Sequence, residues 1–175
     1  MLIQEEVLSK ELLEDCLKDL ENLVKERVWG NSEFLWEDDL QKGFPGIVTN
    51  TSVSSDVSEK LWSELSSYLL EYDTKKELVE FQYYMWNRGS AIPFHNDDSY
   101  HLGGTIYLNT DWLSEWGGLF IWNERYNKLW KALCPTQNMM VLNTHNEPHM
   151  VTEVSSHAPQ VRVTIQIFCW PEDVK

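Results

Sequence analysis

Apolar residues recur at helical spacing through the first part of the chain. Leu8, Leu12, Leu13, Cys16, Leu17, Leu20, Leu23 and Val24 follow one another in short steps with Glu, Asp and Lys between them. This is the pattern of a helix with one apolar stripe. Gly30, directly after Trp29, predicts its end. Gly43, Pro45 and Gly46 punctuate a loop over residues 30–46. Ser54, Ser55 or Asp56 then offers a cap for a second helix, with an apolar face of Val57, Leu61, Leu65 and Tyr68-Leu69.

After about residue 77 the period changes. Short β-branched or aromatic runs, separated by turn residues, predict strands over 78–86, 105–109, 119–123, 139–143, 150–154 and 161–170. Turns are expected at Asn87-Arg88-Gly89, Gly103-Gly104 and Gly117-Gly118. Strands at even spacing without intervening helices suggest a sandwich or jelly roll. The expectation is a mainly β, α+β chain: one domain over 1–175, in which a mostly helical part (1–76) supports a β core (77–170).

Composition narrows the class. With 175 residues, 42% hydrophobic and nine of them Trp, the chain can bury a core of its own. No apolar run approaches the roughly 20 residues that span a bilayer. Residues 1–6 lack a basic stretch followed by an apolar one, which points to a cytoplasmic protein and away from a membrane. The formal charge of −14 disfavours nucleic acid as a partner but tolerates a basic peptide or a cationic small molecule. The three cysteines, Cys16, Cys134 and Cys169, are odd in number and widely spaced, and read as small buried hydrophobes.

The candidate chemistry starts at Pro93-Phe94-His95-Asn96-Asp97. In an extended segment residues i and i+2 point to one side, so the His95 imidazole and the Asp97 carboxylate can meet one metal ion. Pro148-His149 offers a third ligand far along the chain. Two histidines and one carboxylate, with positions left open, suit non-haem Fe(II). A lone His-x-Asp is weak evidence. His145 is an alternative to His149, although Asn146-Glu147-Pro148 reads as loop, and Asp98 is an alternative to Asp97 pointing the other way. His101 and His157 read as surface or supporting residues.

The last strand adds a second constellation. Val161, Val163, Ile165 and Ile167 share one face; Arg162, Thr164, Gln166 and Phe168 share the other. If the first face meets core, Arg162 points into the barrel. A buried guanidinium needs a partner. A small-molecule carboxylate suits it bidentately, and a protein Asp or Glu is the plainer alternative. Tyr107, sharing a face with Thr105 and Asn109, is placed to donate to the same carboxylate, as is Thr164.

Taken in order, His95-x-Asp97, Ile106-Tyr107-Leu108-Asn109 with Asp111-Trp112, Gly117-Gly118, Pro135, Met140-Val141-Leu142, Pro148-His149 and Arg162-x-Thr164 resemble the prolyl-4-hydroxylase-like branch of the 2-oxoglutarate/Fe(II) oxygenases. The resemblance spans about residues 82–170. It implies a double-stranded β-helix (jelly roll, cupin-like) with helices outside. By that resemblance His95, Asp97 and His149 bind Fe(II), and Arg162, Tyr107 and Thr164 hold the distal carboxylate of 2-oxoglutarate. Tyr84 approaches the cosubstrate, with Trp86 as its rival in register. Asn138 departs from the pattern where a glycine is common, and residues 155–160 form a longer turn.

The activity implied is hydroxylation of an unactivated C–H with O2, yielding succinate and CO2, with ascorbate as a possible reductant. A prolyl residue in a peptide or protein is the first substrate choice, and Trp86, Trp116 and Trp122 are candidates to line a peptide groove. A free amino acid or other small molecule is the alternative. From other classes, a non-catalytic cupin-like binding protein and a zinc hydrolase compete, the latter lacking a His-Glu-x-x-His motif.

Overall fold

The computed structural model describes residues 1–26, 48–124 and 129–172. The architecture is layered: two helices cover one face of a six-stranded antiparallel sheet, and a four-stranded sheet faces the other. In chain order the elements are β1 (Leu2–Gln4), α1 (Lys10–Lys25), β2 (Val48–Ser52), α2 (Ser55–Leu69), β3 (Val79–Trp86), β4 (Ile92–His95), β5 (Leu102–Tyr107), β6 (Phe120–Asn123), β7 (Trp130–Leu133), β8 (Met140–Leu142), β9 (His149–Val151) and β10 (Arg162–Cys169). The large sheet runs β1-β8-β5-β10-β3-β2 and the small one β4-β9-β6-β7. This is the double-stranded β-helix that the sequence leads one to expect.

Both helices follow their patterns. In α1 the Ser9 side chain accepts from Leu12 N, while Leu12 and Cys16 are buried. Leu13, Leu20 and Leu23 pack at the margin, whereas Leu17 and Val24 are exposed. The apolar stripe is therefore narrower than its sequence pattern. α1 closes at its C-cap Glu26, short of the end expected at Gly30, and Gly30 and the loop over 30–46 themselves lie outside the described residues. Ser54 is the N-cap of α2, and Val57, Leu61, Leu65 and Leu69 are buried at i, i+4 intervals. They pack with Phe81, Tyr83, Ile106, Ile165 and Ile167 of the large sheet.

The period-2 pattern marks six strands and passes over four. β1 and β2 lie in the part that reads as helical support, but they form the two edges of the large sheet. β4 is short and contains Pro93, and β7 is short and largely exposed, so neither carries a strong alternation. One expected turn is wrong. Gly103-Gly104 lies inside β5, pairing with β10. A side chain at either position would force a neighbour to move: a Cβ on Gly103 would lie 2.6 Å from Asp97 Oδ2, and one on Gly104 2.5 Å from Leu142 Cδ2. These glycines permit close approach. Asn138 sits at φ 62° and holds Leu8 through both its side-chain atoms, accepting from N at 2.9 Å and donating to O at 2.7 Å. Asn tolerates that backbone region better than most residues, which accounts for its place in a glycine position.

Cys16 and Cys169 are buried, and burial pushes both thiols up to about 12. Cys134 is only partly buried, so the expectation of three buried cysteines holds for two. No helix among the described residues is long and apolar enough to cross a membrane.

Candidate metal and cosubstrate site

A cavity of about 480 Å³ opens between the two sheets, in the usual size range of small-molecule sites. The pairing explains how distant residues reach it. His95 ends β4 and lies opposite His149 at the start of β9, and the ring centroids are 4.2 Å apart. Asp97 follows in the turn after β4, with Oδ1 3.7 Å from His95 Nε2 and Oδ2 3.6 Å from His149 Nε2. One ligand atom from each of the three lies within 4.8 Å of the others, a set able to hold a metal ion.

The imidazoles are oriented from behind. His95 Nδ1 lies 2.8 Å from Pro93 O, and His149 Nδ1 lies 2.9 Å from Glu147 O. Donation from Nδ1–H to each carbonyl leaves both Nε2 lone pairs turned toward Asp97. Phe120 stacks on His149 at 5.1 Å. Burial, and then the neighbouring His149, lower the pKa of His95 and favour the neutral form a metal requires. His145 contacts Thr144 on the exterior, and His101 approaches Tyr72 O outside the cavity. His157 and Asp98 are exposed, although Asp98 reaches the cavity lip.

Arg162 is 1% exposed and lines the same cavity. Its Nε and Nη1, like the Tyr107 hydroxyl, have no hydrogen-bond partner among the described residues. The guanidinium carbon stands 4.8 Å from the Trp86 ring and 5.2 Å from the Tyr107 ring. Burial lowers the arginine's pKa and pushes the Tyr107 phenol up to about 12, so the latter stays a donor. Buried donors without acceptors are costly in a native fold. The free guanidinium nitrogens at the cavity fit an anionic ligand, whereas Tyr107 and Thr164 are not among the cavity-lining residues, and no protein carboxylate pairs with Arg162 among the described residues. Thr164 accepts from Trp86 Nε1 at 3.2 Å and from Gln166 Nε2 at 2.8 Å, which leaves its own proton to donate. Tyr84 and Trp86 both line the cavity.

The sequence profile of the 2OG-Fe(II) oxygenase superfamily matches residues 79–170, more than half the chain. The chain belongs to the 2OG-Fe(II) oxygenase superfamily. Its cofactors are accordingly Fe(II), 2-oxoglutarate and O2, and the His-Asp-His cluster fits the metal. Among solved structures, the oxygenase resembles a Pseudomonas putida prolyl-4-hydroxylase (TM-score 0.76, 12% identity, covering 97% of this chain and 92% of that one). It also resembles a Trichoplax adhaerens prolyl hydroxylase in complex with a hypoxia-inducible-factor peptide fragment (0.74, 16% identity, 98% and 84%). A third is the carbocyclase SnoK of nogalamycin biosynthesis (0.67, 13% identity, 95% and 77%). No curated protein matches the sequence significantly.

Two features of the oxygenase's site have no clear mark in the sequence. Gly118, at φ 63°, reads there only as a turn residue, yet a Cβ on it would lie 2.6 Å from Arg162 Cδ. Asn143 lines the cavity beside Asp97 and His149, and a single asparagine at a strand end carries no distinguishing signal. Trp122 and Trp116 do not line the cavity. The first is buried in the inter-sheet core, and the second packs edge-on against Trp112.

Proposed function

We propose that this oxygenase hydroxylates a prolyl residue in a peptide or protein and releases succinate and CO2. In this reading residues 1–76 and 77–170 act as one domain. His95, Asp97 and His149 hold Fe(II), while Arg162, Tyr107 and Thr164 receive the distal carboxylate of 2-oxoglutarate. The observation that carries the reading is a buried guanidinium with two unpaired nitrogens in the same cavity as the three ligands.

Bound Fe(II) supplies the dioxygen chemistry that couples oxidative decarboxylation of the cosubstrate to C–H hydroxylation. The chain's own groups organise it. Pro93 O and Glu147 O hold the two imidazoles with Nε2 inward. Asp97 adds the single carboxylate, whose presence favours hydroxylation over halide transfer. Arg162 fixes one end of the diacid bidentately, and Tyr107 and Thr164 each donate a hydrogen bond to it. Ile92, Phe120 and Val151 wall the cavity with apolar groups and limit water beside the reacting centre.

Support for a prolyl substrate comes from two prolyl hydroxylases with this fold across nearly the whole chain, one bound to a peptide. The similarity to SnoK keeps a small molecule as the second reading. Mass spectrometry of a peptide panel incubated with enzyme, Fe(II), ascorbate and 2-oxoglutarate decides between them. A gain of one oxygen on proline with stoichiometric succinate, both lost in His95→Ala, is the expected result. Oxygen appearing on free metabolites alone would replace the peptide reading, and no succinate at any iron loading would remove catalysis.

A further inference from the structure

We propose that Asn143 is the positioning residue of the metal centre, one amide that fixes both the orientation of Asp97 and the backbone turn carrying His149. The inference rests on the ligand set proposed above.

Asn143 follows β8 and is 6% exposed. Its backbone N donates to Gly103 O at 2.8 Å, tying it to the strand that backs Asp97. Its side-chain Oδ1 accepts from Glu147 N at 2.7 Å. Its Nδ2 faces three acceptor atoms: Asp97 Oδ2 at 3.4 Å, Glu147 O at 3.2 Å and His149 Nδ1 at 3.3 Å. An amide nitrogen has two protons, so the three contacts cannot all be donations.

The conflict resolves in one way that leaves a metal site. His149 Nδ1 is closer to Glu147 O, at 2.9 Å, and carries its proton there. Asn143 then gives its two protons to Glu147 O and Asp97 Oδ2. The other assignment has Asn143 donate to His149 Nδ1, which moves the imidazole proton to Nε2 and blocks the lone pair a metal needs. The Glu147 carbonyl thus accepts from both Asn143 and His149, and Asn143 grips both ends of the same turn by bonding Glu147 N and O.

Asp97 is confined from three sides. Asn143 holds Oδ2, Asn146 Oδ1 accepts from Asp97 N at 2.9 Å, and the bare Cα of Gly103 leaves room for the carboxylate. With Oδ2 engaged, Oδ1 is the freer oxygen. Asn143 therefore couples two ligands from opposite ends of the β core, and its loss would disturb both together.

The test uses the full chain, with binding as the readout. Anaerobic titration with Co(II) alone follows the ligand-field spectrum. Titration with Fe(II) plus 2-oxoglutarate follows the charge-transfer band. Asn143→Ala removes the whole amide. Asn143→Asp keeps the acceptor for Glu147 N and removes the donors to Glu147 O and Asp97 Oδ2, so it stays informative if the alanine variant fails to fold. Both variants are expected to bind either metal about 10–100-fold more weakly, the usual penalty for loss of an outer partner, with altered bands and unchanged far-UV circular dichroism. Wild-type affinity and spectrum in either variant overturn the inference. His95→Ala is run alongside. If it retains metal binding, the ligand set itself is wrong; if it loses binding while the Asn143 variants do not, only the role of Asn143 falls.

Discussion

The two faces of the large sheet are built from the same strands and obey opposite rules. On the helix side, Val163, Ile165, Ile167 and Cys169 of β10 meet Leu61, Leu65 and Leu69, and burial is apolar and close. On the cavity side, the intervening Arg162, Thr164, Gln166 and Phe168 meet Tyr84, Trp86, Thr105, Tyr107 and the glycine at 103. One face is optimised for packing. The other leaves buried donors without acceptors, a state that costs stability and is relieved by ligand. The strand alternation that protects the core on one side thus exposes chemistry on the other.

The sharpest break between the faces comes from the ligands. His149→Ala is expected to reduce succinate formation to background while the thermal midpoint of the metal-free protein barely moves; a large fall in the midpoint would make His149 structural. Leu65→Ala acts on the opposite face. It should cost about 2–5 kcal/mol in denaturant unfolding, as core truncations do, and leave the affinity for Co(II) unchanged. Arg162→Met should stabilise the ligand-free protein by about 1–3 kcal/mol, because an unpaired buried charge is replaced by an apolar chain. It should also abolish the midpoint shift that 2-oxoglutarate gives the wild type; a destabilised variant still responding to the diacid would contradict the reading. Gly103→Ala places a methyl against Asp97 and should weaken Co(II) binding about tenfold, or about 1.4 kcal/mol, without unfolding β5. At the outer surface, Lys60 pairs with Asp15 at 2.5 Å, and the contact raises the lysine's pKa and lowers the aspartate's. Lys60→Ala should leave the midpoint unchanged within error, since exposed pairs contribute little.

Much of this is legible along the chain. Helical spacing marks α1 and α2, and strict alternation in β10 is enough to put Arg162 and Thr164 on one face. The order of His95, Asp97, Tyr107, His149 and Arg162 carries the family resemblance. Other features are hidden for physical reasons. β1 is an edge strand of only three residues, β2 is an edge strand with mostly polar residues, and β4 is interrupted by Pro93. Gly103-Gly104 looks like a turn because glycine usually marks one, whereas here it makes room for Asp97 and Leu142. Trp116 and Trp122 look suited to a groove, but aromatic residues in a small β domain are as readily core.

The sequence by itself determined which residues alternate, that two amphipathic helices are present and which side chains are chemically able to bind a metal and a diacid. Those are properties of local spacing and of functional groups. Only the tertiary structure decided that β4 and β9 pair at His95 and His149, and that Arg162 finds no carboxylate among the described residues. It alone placed Asn143 against Asp97 and Glu147. Such contacts depend on sheet register between segments distant in the chain, and local spacing does not encode register.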